Sequence, residues 1–64
     1  MLLAIDSGNT NIVFAICEGD EIRVQWRATT KVSRTADEYA VWLSQLLKLE
    51  GLSFSDLTET IIAT

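Results

Sequence analysis

Apolar positions follow two patterns along this chain. Near its start they form unbroken runs, Leu2–Ile5 and Ile12–Cys17, the second rich in β-branched and aromatic side chains. Short continuous runs of this kind predict strands buried on both faces. The next segment, Ile22–Thr29, alternates: Ile22, Val24, Trp26 and Ala28 share one phase, and Arg23, Gln25 and Arg27 the other. That period predicts a strand with one solvated face. Gly19-Asp20 lies between the second and third segments and signals a two-residue hairpin turn. The first three segments therefore predict an antiparallel meander with short connections.

The pattern then changes period. Thr29–Arg34 is polar and basic and reads as a connection. Thr35 followed by Glu38 fits a capping box, and Asp37 and Glu38 suit the positive end of a helix dipole. Tyr39, Trp42, Leu43, Leu46 and Leu47 make one apolar stripe, Lys48 sits in the last turn, and Gly51 is a stop signal. A helix is predicted over about 36–50. A short helical turn is expected at Ser55–Leu57, and Thr60–Thr64 reads as a fourth strand, parallel to an earlier one through a crossover. The fold class is α/β, with element order β-β-β-α-β. This order resembles the start of a ribonuclease-H-like unit, the half-domain of actin-like kinases. Order alone does not choose among α/β folds.

Composition bounds what such a chain does. With 64 residues it is at most one domain, and a domain this size buries only about 60% of its unfolded surface. A core and a deep substrate cleft do not both fit easily. At 48% hydrophobic and 22% charged the chain is not of the disordered class. A net charge of −4 argues against nucleic acid as a partner. The longest apolar run is far too short to span a bilayer, and no signal peptide is evident, so no membrane partner is expected. The single cysteine, Cys17, reads as a buried, reduced thiol. The absence of a disulfide framework points to the cytoplasm.

Candidate chemistry is concentrated in Asp6-Ser7-Gly8-Asn9-Thr10-Asn11, between the two apolar runs. Asp6 ends a strand, where a carboxylate can hold a hydrated Mg²⁺ directly or through water. Gly8 lets backbone amides approach a ligand, and successive N–H groups in a turn form an anion-binding nest. Asn9, Thr10 and Asn11 add side-chain donors. A metal-nucleotide needs such a set, yet Asp, Ser, Gly and Asn are also the ordinary turn formers. The loop is neither a Walker A loop nor a dinucleotide fingerprint, so residue types alone leave both readings open.

The segment Met1–Ile16, "MLLAIDSGNTNIVFAI", closely resembles the start of type III pantothenate kinases, whose first phosphate-binding motif is D-x-G-N-T. "WRATT" (Trp26–Thr30), "RTADEYAVWL" (Arg34–Leu43) and "IIAT" resemble the family's third strand, first helix and following strand. The loop motif is shared more loosely across the acetate kinase, sugar kinase, heat-shock chaperone and actin superfamily. The resemblance implies ATP-dependent phosphorylation of pantothenate to 4′-phosphopantothenate, the first step toward coenzyme A, with Mg²⁺ and a monovalent cation (K⁺ or NH₄⁺), in a homodimer. It implies that Asp6, Ser7, Gly8, Asn9, Thr10 and Asn11 bind ATP phosphates, that Asp6 orients the metal, and that Asn9 also lies near pantothenate. The family's general base, in a G-x-D-R segment, and its monovalent-cation ligands would lie beyond Thr64. Residues 1–64 are thus expected to be the N-terminal, incomplete part of an actin-like kinase domain, without turnover alone.

Two other functions remain as expectations: a non-catalytic assembly or regulatory module of the same fold, and another actin-like phosphotransferase. Among the remaining residues, Trp26 and Trp42 fall on apolar phases and read as core rather than a stacking pair. Arg23, Arg27, Lys31 and Arg34 read as a solvated face, and Glu18, Asp20 and Glu21 as a soluble turn tip.

Overall fold

The computed structural model describes residues 1–30 and 34–63. Lys31, placed above on a solvated face, and Thr64, the last residue of the predicted fourth strand, lie outside the described residues. Among the described residues four strands form one sheet: β1 (Leu2–Ser7), β2 (Asn11–Glu18), β3 (Glu21–Thr29) and β4 (Glu59–Ala63), in the order β3-β2-β1-β4. The first three are antiparallel neighbours, and β4 pairs parallel to β1. One helix, α1 (Ala36–Leu49), connects β3 toward β4, followed by a 3₁₀ turn at Phe54–Asp56. The β-β-β-α-β order and the parallel fourth strand agree with the pattern reading.

Local chemistry accounts for the element ends. Gly19 has φ of 62°, and no other residue of that turn has positive φ, so the hairpin has glycine at its first central position, as a type II′ turn requires. At the start of α1, Thr35 Oγ1 accepts from the Glu38 N–H at 3.2 Å, and Glu38 Oε1 accepts from the Thr35 N–H at 3.2 Å. At its end, Leu52 N–H donates to the Leu47 carbonyl at 2.8 Å and Gly51 N–H to the Lys48 carbonyl at 3.0 Å. This is a Schellman motif, and it needs the left-handed φ of 72° at Gly51. The 3₁₀ turn begins one residue earlier than expected, because the Asp56 carboxylate accepts from the Ser53 N–H at 2.9 Å and fixes Phe54 as its first residue.

α1 covers one face of the sheet. Leu3, Ile12, Phe14 and Ile16 from the strands enclose Leu43 and Leu47 from the helix. Val24, Trp26, Tyr39 and Trp42 pack around this cluster, so the tryptophans lie against the core. Trp42 meets Phe14 at a ring-centroid distance of 5.2 Å with tilted planes, a favourable aromatic arrangement. The Arg34 guanidinium, still half-exposed, lies 5.0 Å over the Tyr39 ring, a cation–π contact.

Three expectations are corrected. Continuous apolar runs predict β1 and β2 buried on both faces, but α1 covers one face only. On the other, Val13 and Cys17 stay half-buried, so the Cys17 thiol is less enclosed than expected. Ile22 does not share the face of Val24 and Trp26. The β2–β3 pairing shifts at Ile16/Cys17, with Ile16 opposite Val24 but Cys17 opposite Ile22. One extra residue on β3 flips every position beyond it, and Ile22 is 62% exposed on the uncovered side. Finally, β1 and β2 extend two residues and one residue further toward each other than the apolar runs do, through Ser7 and from Asn11. Backbone pairing of Asp6 with Val13 and Ser7 with Ile12 continues whatever the side-chain polarity.

Candidate phosphate-binding site

Because the strands extend inward, the polar stretch is a three-residue connection, Gly8–Thr10, flanked by paired residues. Asp6 lies opposite Val13 on β2 and Ala63 on β4, so the connection stands at the carboxyl end of the two parallel strands. In open α/β sheets ligands bind in the crevice outside those ends.

Strand alternation divides the six candidate residues. Asp6 shares the phase of its partner Val13, on the sheet face away from α1, and is exposed. Asn11 shares that phase and is exposed as well. Ser7 takes the opposite phase. It is half-buried and lines a cavity of about 290 Å³ under α1 with Ile5, Ile12, Phe14 and Tyr39. The side chains of Asp6 and Ser7 therefore do not converge. Gly8, Asn9 and Thr10 are exposed at the tip.

The loop's backbone is held at several points. Gly8 N–H donates to the Asn11 carbonyl at 2.9 Å and closes the turn. Thr30, one residue past β3, donates its N–H to the Thr10 carbonyl at 2.9 Å and its hydroxyl to the Gly8 carbonyl at 3.0 Å. Among the described residues no backbone carbonyl accepts from the N–H of Asn9 or Thr10. The carbonyls of Gly8, Thr10 and Asn11 are thus engaged while the consecutive amides of Asn9 and Thr10 are left available, and successive N–H groups in a turn can hold an anion. A Cβ on Gly8 would stand 3.1 Å from the Asn11 carbonyl oxygen, so the turn is shaped around the missing side chain.

Thr30 is the residue that sequence reasoning missed. The polar segment Thr29–Arg34 reads as a connection and by itself gives Thr30 no role. The hairpin register held the signal: Thr29 pairs with Asn11, so residue 30 falls opposite residue 10. Reading that register required knowing of the bulge.

The donor set fits a Mg²⁺–polyphosphate. Asp6 offers an exposed carboxylate beside free amides, and Mg²⁺ characteristically takes one or two carboxylates with the rest from phosphates and water. Among the described residues no group of three acidic, cysteine or histidine side chains makes a complete protein cage, the Glu18–Asp20–Glu21 turn tip included. Nor is any described helix long and apolar enough to cross a membrane.

Comparison with known proteins bears on what such a loop serves. Residues 2–64 match the family model for type III pantothenate kinase. Over all 64 residues the chain is 62% identical to a type III pantothenate kinase of Paramagnetospirillum magneticum and covers 25% of that protein. It is 64% identical to the one of Rhodospirillum rubrum, again covering 25%. It is 56% identical to the one of Zymomonas mobilis, covering 23%. The chain thus spans about a quarter of the length of the curated relatives it matches. The match takes in the loop, the capped helix and the parallel fourth strand together, and the chain belongs to the type III pantothenate kinase family.

Proposed function

We propose that this chain is the first phosphate-binding segment of an enzyme that phosphorylates pantothenate with ATP, giving 4′-phosphopantothenate for coenzyme A synthesis. The observation that carries this reading is the loop with free Asn9 and Thr10 amides, beside an exposed Asp6, at the carboxyl ends of β1 and β4. Phosphoryl transfer is mostly positioning and charge neutralisation, which such a loop supplies. The Asn9 and Thr10 amides and the Thr10 hydroxyl donate to ATP phosphate oxygens. Gly8 gives them room, and Asn11 adds a donor at the β2 end. Asp6 holds Mg²⁺, which when bound neutralises charge on the phosphates. Asn9 also contacts pantothenate. Ser7 contributes through its backbone, since its side chain faces the α1 side.

The remaining machinery belongs to the greater part of the relatives' length, outside this chain. That includes the general base, the ligands of K⁺ or NH₄⁺, and the homodimer contacts. Residues 1–64 then form the first part of an actin-like kinase domain that works in the cytoplasm, and alone bind without turning over. One feature favours a second reading, an assembly module: all five residues of β4 are exposed along an open sheet edge.

A titration of the backbone amides with Mg-ATP, followed by NMR on wild type and Asp6→Asn, tests the proposal. The Gly8, Asn9 and Thr10 amides are expected to shift saturably at millimolar nucleotide, and less in the variant. A dispersed spectrum that does not respond, in a chain that self-associates, would favour the assembly module instead.

A further inference from the structure

We propose that Thr30 is a positioning residue for the phosphate loop. It holds two loop carbonyls on itself so that the Asn9 and Thr10 amides are presented to a phosphate group. The proposal rests on the phosphate-binding reading above and assigns a role to a residue outside the loop motif.

The two bonds from Thr30 are different in kind. Its N–H reaches the Thr10 carbonyl at 2.9 Å and simply continues the β2–β3 ladder one step past Asn11–Thr29. Its hydroxyl reaches the Gly8 carbonyl at 3.0 Å, which no ladder bond would do. That second bond crosses 22 residues of sequence to Gly8, where a Cβ would stand 3.1 Å from the Asn11 carbonyl oxygen. A carbonyl oxygen carries negative partial charge and repels phosphate, whereas an amide hydrogen attracts it. Fixing the carbonyls of Gly8 and Thr10 toward Thr30 therefore fixes which side of the loop an anion meets. Gly8 N–H is committed to Asn11, so the amides left to an anion are those of Asn9 and Thr10. Holding them before the ligand arrives removes an ordering cost from binding.

The test compares Thr30→Val and Thr30→Ser with wild type in the 64-residue chain. Valine keeps the shape and the backbone N–H, and is at least as good a strand former, but lacks the donor. Serine keeps the hydroxyl. Without ligand, the Gly8 carbonyl carbon is expected to shift in Thr30→Val and to stay near its wild-type position in Thr30→Ser, with the β1 and central β2 amides unmoved in both. With Mg-ATP as the probe, Thr30→Val is expected to raise Kd by roughly three- to tenfold, the factor one neutral hydrogen bond accounts for, and Thr30→Ser to stay within about twofold. Equal Kd in Thr30→Val and wild type overturns the proposal. A wild type that does not bind Mg-ATP instead overturns the phosphate reading. In that case the ligand-free Gly8 shift still decides whether Thr30 holds the loop, and an unmoved carbonyl overturns the clamp.

Discussion

Replacing Gly8 by alanine should separate binding from stability, and the structure gives the size of each effect. Gly8 has no positive φ, so alanine can adopt its backbone conformation. The obstacle is the Asn11 carbonyl oxygen, 3.1 Å from where the new methyl would stand, against 3.4 Å for ordinary contact. The same oxygen accepts the Gly8 N–H at 2.9 Å. A retreat of about 0.3 Å takes that bond toward the long end of the normal range and forfeits part of its roughly 0.5–1.5 kcal/mol. Against this, alanine restricts the unfolded chain and contributes about 0.4–1 kcal/mol of stability where its conformation is compatible. The two terms nearly cancel, so the melting temperature should move by less than about 4 °C, given roughly 4–8 °C per kcal/mol for a domain of this size. Binding has no such compensation, because the unfolded chain does not enter that equilibrium. Displacing one charge-assisted amide–phosphate bond, worth roughly 1.5–3 kcal/mol, should weaken Mg-ATP by at least about tenfold. Circular dichroism melts and an amide titration read the two quantities. Mg-ATP affinity within twofold of wild type would refute the close-packed turn as the basis of phosphate binding. A fall of more than about 10 °C in melting temperature would show that the carbonyl cannot give way.

Two substitutions address the scaffold that holds the loop. Leu47→Ala removes a side chain with 0% exposure at the centre of the core, and should cost about 2–5 kcal/mol. Since a chain of this size has only a few kcal/mol in all, chemical denaturation should find the variant largely unfolded in water, and a two-state curve with a near wild-type midpoint would contradict the assigned core. Thr35→Ala removes the hydroxyl that accepts the Glu38 N–H, and should cost about 1 kcal/mol. Hydrogen exchange at the Glu38 amide should accelerate more than at Leu47, and uniform acceleration would refute a local capping role.

The parts of this protein legible in its sequence are those set by neighbours along the chain. Thr35 and Glu38 are three residues apart and cap each other in any helix that starts there. Gly51 and Gly19 take left-handed φ because the turns need it and no Cβ opposes it. The 3.6-residue spacing of Tyr39, Trp42, Leu43, Leu46 and Leu47 makes one apolar stripe, of which Leu43 and Leu47 are buried and the other three half-buried. The loop motif could be picked out in the same way, and the family match with it.

What the sequence could not decide is set by pairing between distant residues. A one-residue shift opposite Ile16 and Cys17 sends Ile22 to the uncovered face, and the alternation of the segment carries no mark of it. Strand pairing, not polarity, set where β1 ends, and so turned Ser7 toward α1 and away from Asp6. The contact of Thr30 with Gly8 and Thr10 follows from hairpin register combined with that shift. Ile61 and Ile62 are apolar and β-branched, as a strand pattern asks, yet stand 55% and 65% exposed because, among the described residues, β4 is the edge of the sheet. Propensity and capping act over one turn of chain, so they can be read from it directly. Register, facing and burial depend on which strand lies alongside, and that is decided only when the sheet assembles.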